Sequence, residues 1–268
     1  MLSRKQVSIF VLFILFNLTF YAQPIIDTAN KDKQAFTPNA LQISTGNVKN
    51  NDRFRARSLF VPCFMFAYGV ASMEVKGLKN LNVELKDEVY AEKPHQKTII
   101  DNYLQFAPGL AVYGLNAMGI KGKHNFKDRS GLYLMSTVLM SISVSGVKKI
   151  SHQLRPDGST FNSFPSGHTA QAFASAEFLR QEYKDVSAWY GYAGYAVAAT
   201  TGYLRMYNNK HWLSDVVAGA GIGIASTKIA YWLYPKIQQK LFKNKNPNTV
   251  IMPSYSNKAF GFAMVHKF

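Results

Sequence analysis

Six apolar segments of helical length, each closed by a polar turn, constrain this chain more than any other feature. They run at about 58–74, 101–119, 130–154, 167–183, 186–205 and 211–234. Their length and apolar content predict helices. Lys121-Gly122-Lys123, Asp157-Gly158-Ser159 and Asn208-Asn209-Lys210 separate them with ordinary turn chemistry. The expected fold class is therefore all-α, a six-helix bundle over residues 57–235. Several segments have 17 to 19 uncharged residues but are diluted by Gly, Ser, Thr and Tyr, so they suit both a lipid-embedded and a soluble bundle. Tyr103–Ile120 and Val186–Leu204 are the best candidates for spans. Gly219 and Gly223, four apart, allow a close helix approach in either medium.

The ends read differently. Arg4 and Lys5, an apolar run from Val7 to Tyr21 and then Ala22 have the order of a secretory signal, expected over residues 1–22. Residues 23–56 are polar and aperiodic, an extended lead-in. In the basic tail at 236–268, Phe260, Phe262, Met264, His266 and Phe268 alternate, which is a strand period and predicts a short C-terminal β-hairpin. Cys63 is the single cysteine, so no intrachain disulfide can form.

Lys and Arg outnumber Asp and Glu by 31 to 15, a field that favours anionic partners. The basic residues are dispersed and accompany no nucleic-acid reading motif, so no nucleic acid is expected as a partner. A phosphorylated lipid, a small anionic substrate or an anionic membrane surface fits the charge.

Three groups between Lys148 and Asp215 supply what is needed to hold and cleave a phosphate ester. Lys148 precedes Arg155-Pro156 by nearly two helical turns, which puts the two cations on one helix face. Pro165-Ser166-Gly167-His168 then leads into a helix, whose first N–H groups and dipole make an anion site. His168 stands beside it, placed to protonate a departing oxygen. The third group is Arg205, His211 and Asp215: a spacing of four lets the carboxylate accept the His211 Nδ1 proton and leaves Nε2 as a nucleophile. Each group taken alone is common on solvated helix faces, whereas all three in order give complementary roles. The four motif positions fall at alternate helix ends, hence on one side of the bundle.

The pattern Lys-x6-Arg-Pro, Pro-Ser-Gly-His and Arg-x5-His-x3-Asp resembles that of the type 2 phosphatidic acid phosphatase and vanadium haloperoxidase superfamily, strongly over 148–215 and loosely over 57–234. Leu204 departs from it, since a Ser usually precedes the arginine, and the expected loss is an auxiliary hydrogen bond. The resemblance implies a bundle of the acid phosphatase/haloperoxidase type and a metal-independent phosphatase with no cofactor. It further implies that His211 attacks phosphorus to give a phosphohistidine, Asp215 orients it and His168 protonates the leaving group. Lys148, Arg155 and Arg205, with Ser166 and the Gly167 N–H, would hold the phosphoryl oxygens. Three cations against one site carboxylate agree with chemistry that uses no divalent metal.

The substrates that the resemblance implies are phosphate monoesters or diphosphates of lipid-like molecules. The alternatives are a soluble non-specific acid phosphatase of the periplasm, a vanadium-dependent haloperoxidase, and a non-catalytic basic envelope protein. A cleaved signal followed by six spans would put the site in the cytoplasm. Lys121, Lys123, Lys127, Arg129 and the tail lysines, all opposite the site, place it outside by the positive-inside rule. The expectation adopted is an extracytoplasmic site in the cell envelope, periplasmic or at the inner membrane.

Overall fold

The structure, a computed structural model, describes residues 56–91, 96–242, 249–256 and 259–266. The expected signal and most of the lead-in lie outside the described residues. Within them, a 3-10 turn at Ala56–Leu59 leads into α1 (Phe60–Glu74) and α2 (Lys76–Lys86), and a π turn follows at Asp87–Ala91. Then come α3 (Ile100–Leu104), α4 (Ala107–Ala117), α5 (Phe126–Ser151), α6 (Gly167–Tyr183), α7 (Ala188–Tyr207) and α8 (Leu213–Phe242). Strands β1 (Thr249–Ser256) and β2 (Ala259–His266) pair antiparallel, Thr249 opposite His266.

The six-helix expectation is therefore corrected: the described residues hold eight α-helices. Helix α2 was missed because Lys76, Lys79, Asn80, Asn82, Glu84 and Lys86 make it too polar for a reading that looked for apolar runs. The segment at 101–119 divides because Pro108, whose ring fits only the first turn of a helix, begins a new one. Helix α8 continues past 234 with Pro235 inside it. Its later turns are tied down by Gln238 Nε2 donating to Asp128 at 2.9 Å and by Lys236 lying 3.7 Å over the Trp232 ring.

Helix α6 is the axis of the bundle, buried on every side by α4, α5, α7 and α8. Small residues make this possible: Ala170, Ala172, Ala174 and Ala176 are wholly inaccessible, and Phe178, Leu179 and Tyr183 form a core cluster with Val112. Its polar residues are satisfied internally, as burial requires. Glu177 accepts from Arg180 Nε at 2.7 Å and Nη2 at 2.6 Å. Glu182 accepts from Tyr231 at 2.6 Å and contacts His124 Nδ1 at 2.7 Å.

Helix α8 lies so close to α6 that a Cβ at Gly219 would come within 2.5 Å of the Ser166 carbonyl oxygen, and one at Gly223 within 2.2 Å of that of Ala170. The glycine pair serves as the close-approach surface its spacing suggested.

Among the described residues, three helical stretches are long and apolar enough to cross a membrane: Ala56–Glu74, Phe126–Ser151 and Leu213–Lys240. These are not the spans the sequence favoured. The Tyr103–Ile120 stretch is broken in the fold, and the 11 residues of α4 reach only about 16 Å against a hydrocarbon core of about 30 Å. Phe60, Phe64, Leu134 and Ile142 point outward from α1 and α5, each at least 65% exposed.

Candidate active site

The end of α5, the start of α6, the end of α7 and the start of α8 meet at one end of the bundle, where the connecting loops are stitched together. Ser166 N donates to the Asp215 carbonyl at 3.0 Å, and Trp212 Nε1 donates to that of Leu154 at 3.0 Å. Lys210 pairs with Asp157 at 2.6 Å, and Ser151 Oγ donates to the Phe164 carbonyl at 2.9 Å. All eight residues singled out in the sequence lie at this end.

Lys148 occupies the last turn of α5, where its Nζ donates to the Asn162 carbonyl at 2.5 Å. Arg155 does not share its helix. Helix α5 stops at Ser151 because His152 takes a left-handed conformation, φ 43°, which ends the helical ladder. Arg155 instead reaches the site from a turn closed by Arg155 N to Thr160 O at 3.0 Å and Gly158 N to Arg155 O at 2.9 Å. Burial, then the neighbouring Arg205 cation, push its guanidinium below the ordinary value. Its Nε is buried with no partner.

Ser166 is the N-cap of α6, its Oγ accepting from Thr169 Oγ1 at 2.9 Å and Thr169 N at 3.4 Å. It is fully buried, so it serves the site by fixing where α6 begins. Gly167 and His168 then supply the first N–H groups of the helix. A Cβ at Gly167 would meet only Val144, at 3.7 Å, so protein packing does not require a glycine there.

His211 stands two residues before α8 rather than on it, and its Nδ1 lies 3.3 Å from Asp215 Oδ2 across the cap. That oxygen also accepts from Trp212 N at 2.9 Å and Ser163 Oγ at 2.5 Å. A third-position carboxylate bonding back to the cap amide is the helix-start arrangement that favours an acidic residue. Burial lowers His211 to about 4, opposed by Asp215 and assisted by Arg205 and Lys148. At neutral pH the ring is thus uncharged; with its hydrogen on Nδ1 toward Asp215, Nε2 carries the lone pair. His168 is also lowered to about 4, first by burial and then by Arg205, with His211 and Arg155 adding to the effect and Asp101 opposing it. Lys148 in turn is within electrostatic range of Arg155, Asp215 and Arg205. The three cations, the two imidazoles and the carboxylates of Asp215 and Asp101 thus form a single interacting cluster.

Sequence reasoning missed Asp101, Asn102, Ser163 and Asn208. Asp101 pairs with Arg205 at 2.5 Å, and Asn102 Oδ1 lies 2.9 Å from His168 Nε2. Asn208, three residues after Arg205 on the same helix, was within reach of a helical-spacing argument, but the Asp101 partnership spans 104 positions and has no local signature.

The positions and order of these groups define a class. Residues 130–239, which contain every motif position, match the family model described as PAP2 superfamily. Among individual relatives, the chain is 42% identical over 142 residues to lipid A 1-phosphatase of Porphyromonas gingivalis, covering 51% of this chain and 31% of that one. It is 31% identical over 98 residues to the bacitracin transport permease protein BcrC of Bacillus licheniformis, covering 32% and 46%. The chain spans under half the length of either relative. Similar solved structures are LpxE of Aquifex aeolicus (23% identity, TM-score 0.43, 57% and 95% of the two chains) and a transmembrane PAP2 type phosphatidylglycerolphosphate phosphatase of Bacillus subtilis (17%, TM-score 0.44, 66% and 98%).

Proposed function

We propose that this chain is a phosphatase that hydrolyses phosphate monoesters or diphosphates of lipid-like substrates through a phosphohistidine at His211. The observation that carries the reading is the convergence of Lys148, Arg155 and Arg205 on a neutral histidine oriented by a buried carboxylate. The phosphoryl group sits among the three cations and the first N–H groups of α6, which neutralise the charge that builds on its oxygens in the transition state. His211 Nε2 attacks phosphorus in line with the leaving oxygen, and Asp215 steadies the imidazolium that results. His168 gives a proton to that oxygen, then takes one from the water that attacks the phosphohistidine. At neutral pH His168 is uncharged before substrate binds; an incoming phosphate dianion raises its proton affinity, so substrate and acid proton enter together. The P. gingivalis relative, a lipid A 1-phosphatase by name, supports a phosphorylated lipid as substrate.

The outward apolar faces of α1 and α5 favour a membrane-embedded bundle. Lys127 opens α5 and Lys236 and Lys240 lie late in α8, both at the end away from the site. The positive-inside rule then puts the site outside the cytoplasm. The deciding experiment is phosphate release from a panel of lipid and soluble phosphate esters by purified protein, with and without detergent. Wild type should release phosphate from lipid substrates and His211→Ala should not. Activity above a few per cent in the variant removes His211 as nucleophile.

A further inference from the structure

We propose that Asp101 and Asn102, side by side on α3, are positioning residues of this phosphate site: Asp101 sets Arg205, and Asn102 sets His168. The proposal rests on the phosphatase reading above. Helix α3 has only five residues, and its apolar side chains do little for the core: Ile100 is 57% exposed and Tyr103 72%. Its inward business is polar. Asp101, 1% exposed, accepts from Arg205 Nη1 at 2.5 Å through Oδ2, and from Asn208 Nδ2 at 3.4 Å through Oδ1. Asn208 fastens the chain before α3 in both directions, donating to Thr98 O and accepting from Thr98 N, each at 2.9 Å. The short helix is thereby clamped to the end of α7, three residues from Arg205.

Arg205 is a buried guanidinium on a long side chain. The Asp101 carboxylate holds one end of its fork, while Nε is buried with no partner. A guanidinium held on one side and unsatisfied on the other is set for an incoming oxyanion. Asn102 completes the arrangement. Its carboxamide oxygen can only accept, so His168 carries a hydrogen on Nε2 and exchanges its catalytic proton at Nδ1. Asn102 is exposed, so this bond is not part of the packed core.

The charged and titratable groups facing His168 are Asp101 on α3, Arg205 on α7, Arg155 in the α5–α6 connection and His211 before α8. Asp101 is the carboxylate among them, so its neutralisation makes protonated His168 harder to form, and a carboxylate at position 102 makes it easier.

The test compares Asp101→Asn and Asn102→Asp with wild type in three measurements: thermal unfolding, the pH profile of kcat, and orthovanadate binding by titration calorimetry. With unfolding unchanged, Asp101→Asn should lower kcat and vanadate affinity about tenfold and move the alkaline limb of kcat down by about one unit, whereas Asn102→Asp should move that limb up. A purely structural role predicts no movement of the limb in either variant, and that result overturns the proposal. If Asp101→Asn does not fold, Asn102→Asp decides by itself, since its site is exposed: an unmoved limb refutes. If wild type releases no phosphate, the phosphatase reading fails, and vanadate affinity alone then tests the positioning, equal affinity in both variants and wild type overturning it.

Discussion

Replacing Gly223 by alanine sets two opposed effects against each other. Alanine gains about 1 kcal/mol of helix propensity over glycine in a helix interior. The new methyl, however, would lie 2.2 Å from the Ala170 carbonyl oxygen and 2.8 Å from Ala174 N. A carbon approaches a carbonyl oxygen no closer than about 3.3 Å, so the helices must part by about 1 Å. Both obstacles are main-chain atoms of α6, which cannot swing aside as a side chain would, and α7 backs that helix on another face: a Cβ at Gly194 would itself meet Leu179 at 3.1 Å. Overpacking of this kind costs about 1–3 kcal/mol and outweighs the propensity gain. Gly146, on the exposed face of α5, is the control, since a Cβ there meets nothing within 4 Å. Gly146→Ala should therefore keep the propensity gain. In thermal unfolding of purified protein followed by circular dichroism, Gly223→Ala should melt several degrees below wild type and Gly146→Ala at or above it, at roughly 2–4 °C per kcal/mol. A Gly223→Ala protein as stable as wild type would refute the claim that main-chain contact sets the α6–α8 distance.

Four further outcomes are expected. Asp215→Asn should lower kcat by about 10⁴-fold with unchanged unfolding, because the wrong His211 tautomer is then presented; a loss below tenfold in a phosphate-release assay would count against it. Orthovanadate should inhibit competitively while EDTA does nothing; activity lost in EDTA and restored by Mg²⁺ or Zn²⁺ would overturn the metal-free mechanism. Because burial holds His211 and His168 at about 4 in the folded state, below the ordinary value of 6.5, the unfolded chain binds more protons between those values. Folding stability should then fall as pH drops from 6.5 to 4, and the acid limb of kcat/KM should lie near 4, both read from pH series of melting and of initial rate. Finally, with Cys63→Ser and Ser159→Cys, an impermeant maleimide should label cells whose outer barrier is open and inner membrane intact; labelling only after inner-membrane rupture would place the site in the cytoplasm.

That the eight candidate residues lie at one end of the bundle, and which helices bring them there, was legible in the sequence because both follow from local spacing. Apolar segments of helical length marked α5 to α8, and motifs at alternate helix ends must meet wherever consecutive helices run antiparallel. Helix α2 escaped because its polar surface imitates a loop, and the break before α4 was signalled by Pro108 but overridden by the apolar run around it. The placement of Arg155 and His211 off their helices was decided by the left-handed turn at His152 and by the cap at Trp212, conformations that spacing alone does not specify. Tertiary structure alone determined that α6 is the axis, since its alanines and buried carboxylates are acceptable only where Tyr195, Tyr231 and His124 come to meet them. It alone brought Asp101 to Arg205 as well. A pairing across 104 positions costs chain entropy that only the packing of the intervening helices can offset, so no stretch of sequence short enough to read as a motif could have announced it.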